Sequence, residues 1–270
     1  MPSTRKIDLL AIFSIFYVIF LYGPVLLLPL FSFNDSIYVA FPLKGFTLQW
    51  YYDMVENTQL IKALNASVKV GLASAFVSTV LGVLAAKAVT RYYLPGRAPV
   101  MAVIMVPLVI PSIILAIALL TIFRKFLDIE LSLWTVGASH VLVCIPFAML
   151  VMIARLQGFD KSLEEASLDL GQGPWITFWK VTFPLAAPGI VSSLLLCFTI
   201  SFDEYLLAAF LAGNDATLPL FIFSQLRFPN RLPSTLALGS CILVFSIIIV
   251  TFSEWLRRRG VPDESAGGIV

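Results

Sequence analysis

Long apolar runs separated by short polar breaks dominate this chain. A helix that crosses a bilayer needs about 20 mostly apolar residues. Stretches near 8–31, 66–91, 98–123, 131–154, 185–210 and 236–256 meet that requirement. The pattern predicts an all-α integral membrane protein, one domain over residues 1–270, with about six transmembrane helices. Arg5 and Lys6 precede the first run, as in a signal peptide. That run is too long for a signal core and no small-x-small cleavage site follows it, so it reads as a retained anchor. Gly23-Pro24 inside it predicts a kink.

Two stretches between spans are more than turns. Residues 32–65 carry the aromatic cluster Trp50-Tyr51-Tyr52, which suits a membrane interface and predicts a short surface helix. Residues 212–235 are rich in Pro, Asn and Gly and read as a lid, a docking surface or a plain connector.

Composition agrees with the pattern. Of 270 residues, 59% are hydrophobic and 13% charged, against about 25% charged in soluble domains. The net charge of +2 is too small to suggest nucleic acid. Cys144, Cys197 and Cys241 each sit in an apolar run and read as small buried hydrophobes. His140 is the one histidine, so no multi-histidine metal site is available. Its simplest reading is an interhelical hydrogen-bonder.

Positive charge sets orientation. One side collects Arg5, Lys6, Arg91, Arg97, Arg155, Lys161, Lys180 and Arg257-Arg258-Arg259. The other collects Lys44, Lys62, Arg124, Lys125, Arg227 and Arg231. The bias predicts cytoplasmic termini and a cytoplasmic segment at 158–184.

That segment carries too much charge, Gly and Pro to cross the membrane. Ser162 with Glu165 three residues on is a capping-box pattern, and Asp160 is a competing cap. A helix from there to Leu170 would stop at Gly171. Pro174 suits the first turn of a second short helix bearing Trp175, Ile176, Phe178 and Trp179 and ending before Pro184. Exposed aromatics on two short helices invite a partner, although such helices also lie on bilayer surfaces.

Ionisable groups within spans default to functional hypotheses. Asp203-Glu204 lies 15 residues past Pro188, roughly 22 Å along a helix, in the outer half of the fifth run. One carboxylate could replace the lost hydration of a cationic amine. The alternative is a structural knot. Ser201 and Tyr205 flank the acids and could line the same path.

Glu165-Ala166-Ser167, Gly171 and Val181-x-Phe183-Pro184 fall at fixed offsets over 20 residues. This resembles the cytoplasmic loop of binding-protein-dependent ABC importer permeases, Glu-Ala-Ala, three residues, Gly, nine residues, Ile-x-Leu-Pro. Ser167, Val181 and Phe183 depart modestly from it. Ser32-Phe-Asn-Asp-Ser36, Gly45-Phe-Thr-x-x-Trp50 and Phe198-Thr-Ile-Ser-Phe-Asp-Glu204 look like the second permease of the polyamine, opine, phosphonate and GABA-type branch. The resemblance implies a type I ABC importer (MetI-like) transmembrane domain in the inner membrane. It implies a heterodimer with a homologous permease, two copies of an ABC ATPase that bind ATP and Mg, and a periplasmic substrate-binding protein. It makes Glu165, Ala166, Ser167, Leu168, Gly171 and Trp175 the ATPase-coupling set. No cofactor belongs to this chain on that reading, and no Gly-x-x-x-x-Gly-Lys-Ser/Thr phosphate loop occurs in it. A secondary transporter would predict repeated discontinuous helices in two halves. A membrane enzyme would need a polar catalytic cluster. Neither pattern is seen.

Overall fold

The computed structural model describes residues 9–93 and 95–259. Helices account for nearly all regular structure among them. Five helices are long and apolar enough to cross a membrane, six if one bent pair counts as a span. Arg5 and Lys6 lie outside the described residues, as do the side chains of Arg257, Arg258 and Arg259.

Contacts divide the chain into two compact units. The first comprises the chain up to Thr58 and from Ser224 onward. In it, α1 (Leu9–Ser32) packs against α12 (Leu232–Arg259). Phe16, Ile19 and Phe20 of α1 stay exposed, which suits a lipid-facing helix. Pro24 and Pro29 both lie inside α1. The predicted interfacial helix is α2 (Gln49–Glu56). The two short motifs between α1 and α2 pair with each other. Asn34 bridges Phe46, Asp35 N–H donates to the Gly45 carbonyl and Thr47 N–H donates to the Phe33 carbonyl. Trp50 Nε1 donates to the Asn34 carbonyl at 2.9 Å. These bonds explain why Ser32–Ser36 and Gly45–Trp50 carry a recognisable pattern.

The second unit, Gln59–Phe223, holds the remaining spans. α3 (Thr58–Arg91) begins eight residues earlier than its apolar run. It crosses α6 (Leu133–Gln157) at close range: a Cβ on Gly82 would meet the Ala148 backbone at 2.9 Å. Ser74 and Ser78 hydroxyls donate across this crossing to the carbonyls of Gly137 and Val141. Small residues permit such approach, as expected for helices in lipid. α6 starts with a capping box from Ser132 and Thr135.

The run 98–123 is not one straight span. α4 (Arg97–Val109) and α5 (Ser112–Thr121) meet at 105°, broken at Ile110-Pro111. Pro111 has no N–H and restricts Ile110 to an extended backbone, so the helix must stop there. A π turn, Ile122–Phe126, extends α5.

The fifth span also differs from expectation. The second short helix does not end before Pro184. α8 (Pro174–Thr177) runs through a π turn, Phe178–Thr182, into α9 (Phe183–Asp203) as one long helix. Pro184 cannot donate to the carbonyl four residues back and its ring crowds that carbonyl. The wider turn accommodates both effects. The span expected to reach 210 stops at Asp203 and restarts as α10 (Leu206–Leu211). The stretch 212–235 is ordered, with α11 (Leu218–Gln225) and a 3-10 turn, Pro229–Arg231.

Candidate functional site: the loop helix and the broken fifth span

The loop helix is α7 (Ser162–Asp169). Its N-terminus is held by Asp160, whose Oδ1 accepts from Ser162 N–H at 3.0 Å. The Ser162 amide, then its hydroxyl, hold the exposed Asp160 carboxyl below its usual range. The capping box expected from Ser162 and Glu165 is therefore absent. Glu165 instead pairs with Lys161 at 3.2 Å, one turn away, with both side chains half exposed. Such pairs are worth about 0.3–0.5 kcal/mol, so Glu165 remains available to a partner.

The C-terminus is a Schellman motif. Gln172 N–H donates to the Ser167 carbonyl and Gly171 N–H to the Leu168 carbonyl. Gly171 has φ +82°, with nothing within 4 Å of where a Cβ would stand. Backbone geometry, not crowding, demands glycine here.

The outward face of α7 carries an inverted pattern. Glu165, Ala166 and Leu168 are exposed and Leu170, the residue that caps the helix, is 82% exposed. Glu164 is buried at 7%. Exposed leucines over a buried acid fit a surface that another protein covers. Ser167 is half-buried and pairs with the Thr177 hydroxyl at 3.0 Å. Trp175 is 71% exposed, stacks on Phe178 and meets Trp179 edge to face. Beside it, Val83, Leu84 and Lys87 of α3 and Tyr92 just past its end line an open cleft of about 290 Å³. Lys87 Nζ lies 4.6 Å from the Phe178 ring centroid, a cation–π contact. Of the six residues expected to couple, Glu165, Ala166, Leu168, Gly171 and Trp175 are exposed and Ser167 turns toward Thr177.

The sequence pattern did not single out Glu164 or its partner Arg91. Glu164 Oε2 lies 3.2 Å from Arg91 Nε and Oε1 accepts from the Thr182 hydroxyl. Arg91 Nη2 donates to the carbonyls of Leu156 at 2.8 Å and Phe159 at 3.3 Å. Period could not reveal this pair, because Glu164 and Glu165 are adjacent acids and nothing in the sequence says which of them turns inward.

The four pathway candidates do not form one cluster. Asp203 is exposed at the last turn of α9. Glu204 leaves the helix, and its Oε1 accepts from the amides of Leu206 and Leu207 at 3.0 and 3.2 Å. It therefore closes the start of α10. Ser201 is buried and bonds His140 Nδ1 at 2.7 Å, which bears out the interhelical reading of that histidine. Tyr205 packs on Phe223, ring centroids 4.7 Å apart. Of the four, Asp203 alone presents an exposed carboxylate that bonds to no other side chain or amide among the described residues.

Comparison with known proteins bears on this arrangement. Residues 78–260 match the family described as binding-protein-dependent transport system inner membrane component. The chain belongs to that family. It is an ABC importer permease subunit and a membrane protein. It is 34% identical over 240 residues to the spermidine/putrescine permease PotC of Escherichia coli K12, covering 88% of this chain and 90% of the relative. It is 32% identical to the putrescine permease PotI of the same strain, covering 87% and 85%. Among solved structures, a bacterial alginate ABC transporter in complex with its periplasmic protein aligns with TM-score 0.73 at 18% identity, over 93% and 92% of the two chains. The secondary-transporter and membrane-enzyme readings lose their support.

Proposed function

We propose that this permease imports polyamines of the putrescine and spermidine kind, as half of a heterodimer with a homologous permease. Two copies of a separate ABC ATPase bind ATP and Mg and hydrolyse the nucleotide, one of them docking on the loop 158–184 of this chain's single permease domain. A periplasmic receptor delivers substrate to the inner membrane, and both termini are cytoplasmic. The observation that carries the docking assignment is α7 itself: an apolar-outward helix closed by a left-handed Gly171, on the family's spacing. Glu165, Ala166, Ser167, Leu168, Gly171 and Trp175 are the contact set. The two polyamine relatives and the exposed Asp203 support the substrate.

The experiment is reconstitution of the complete importer in proteoliposomes with labelled putrescine. Wild type should accumulate it on ATP addition. Glu165→Lys should lose the co-purifying ATPase and the uptake together while inserting normally. Retention of both would sink the docking assignment. Uptake of an opine, phosphonate or GABA-like amine in place of putrescine would overturn the substrate and leave the machinery standing.

A further inference from the structure

Glu164 sits next to the docking residues yet faces away from any partner. Its two carboxylate oxygens are divided between two elements: Arg91 at the end of α3 and Thr182 in the π turn that leads into α9. Arg91 in turn holds the end of α6, through the carbonyls of Leu156 and Phe159, and its guanidinium lies 4.7 Å from the Phe159 ring centroid. One acid and one base therefore tie α7 to three spans at a single point. The pair is nearly sealed, with side-chain exposures of 8% and 10%.

The covalent route from α7 to the spans is soft by comparison. Gly158 precedes the helix, and Gly171 and Gly173 follow it, with nothing within 4 Å of a Cβ at the latter two. A helix hung only on those turns could tilt without moving the spans. Ser167 with Thr177 adds a single neutral hydroxyl bond. Charge-assisted bonds are roughly twice as strong as neutral ones, and a buried charge that loses its partner is heavily penalised. The ion-paired node is the stiff connection.

We propose that the Arg91–Glu164–Thr182 node is the joint that passes displacement of α7 to α3, α6 and α9 together. Arg91 and Glu164 are then positioning residues for transport, acting through the helix and not on substrate. The proposal rests on the docking reading of α7.

The test uses the assembled importer in lipid nanodiscs, with ATP plus vanadate as the probe. Co-purification of the ATPase with wild type is scored first; its absence would bring down the docking reading and the joint with it. Spin labels at Leu170→Cys and Trp134→Cys, in a Cys241→Ser background, report the distance from α7 to the far end of α6. Both labelled positions are exposed, and Cys144 and Cys197 are buried. In wild type the distance should be the same with and without trapped nucleotide, because the node makes α7 and α6 move as one body. In Glu164→Gln the nucleotide-free distance should match wild type, and trapping should shift it beyond the width of the wild-type distribution. If Glu164→Gln does not accumulate, Arg91→Met, which has no donor for the Leu156 and Phe159 carbonyls, reads the same shift. A distance that stays fixed on trapping in the variant, or one displaced equally in both states, would overturn the joint and leave a merely structural ion pair.

Discussion

Gly171 and Gly82 need glycine for opposite reasons, and substitutions separate them. At Gly171 the backbone is left-handed and the surrounding space is open. Asn tolerates that conformation and a β-branched residue does not. Gly171→Asn should keep most uptake, whereas Gly171→Val should disturb the end of α7 and lose at least tenfold, measured in proteoliposomes. The neighbouring acids at 203 and 204 also part company. Glu204 holds the start of α10, so Glu204→Ala should lower stability by about 1 kcal/mol, as lost helix caps do. Asp203 makes no such bond, so Asp203→Asn should leave the melting temperature unchanged and weaken uptake of a cationic substrate. Thermal melts alongside uptake check both. The sequence showed that two acids lie in the span. It could not show that the helix breaks between their roles, because a carboxylate bound to the amides of the next helix looks in sequence like any other acid.

At the scale of elements, apolar runs located the spans well and their ends poorly. α3 extends eight residues beyond its apolar run because Thr58–Asn65 is polar enough to read as loop, yet Leu60 and Ala63 are buried. The α4–α5 bend escaped notice because Pro107 lies inside a helix while Pro111 ends one; a proline's presence does not say which. α7 was legible from Gly171 and the family spacing, but its cap was left between Asp160 and Ser162, which compete for the same amides, and Asp160 holds it. Close packing of α3 on α6 supplies the prediction here. Gly82→Val inserts bulk against the Ala148 backbone. Overpacking of this kind costs about 1–3 kcal/mol. The variant should melt several degrees lower in detergent, whereas Gly23→Val, with open space around it, should not.

For the whole molecule, composition and span count were enough to name a membrane protein, and the fixed offsets of Glu165, Gly171 and Pro184 were enough to name its family. The candidate pathway was not legible. Its residues come from helix ends whose side chains turn to separate neighbours, and period says nothing about that. The orientation proposed from lysine and arginine placement makes a direct prediction. Leu170→Cys should react with a membrane-impermeant maleimide only in inverted vesicles, and Trp134→Cys only in intact spheroplasts. The opposite result, Leu170→Cys reacting only in spheroplasts and Trp134→Cys only in inverted vesicles, would reverse the proposed topology.

The π turn at Phe178–Thr182 has a consequence for how the gene can change length. A π turn holds one more residue than an α turn over the same rise. Deleting exposed Lys180 would remove that extra residue and leave every later residue of α9 on its original face, while pressing the Pro184 ring against the carbonyl four residues back. The same deletion one turn beyond Pro184 has no slack to absorb it. It would rotate Ser193, Cys197 and Ser201, all buried against neighbours, by about 100°. Single-residue deletions in this span should therefore be better tolerated before Phe183 than after it.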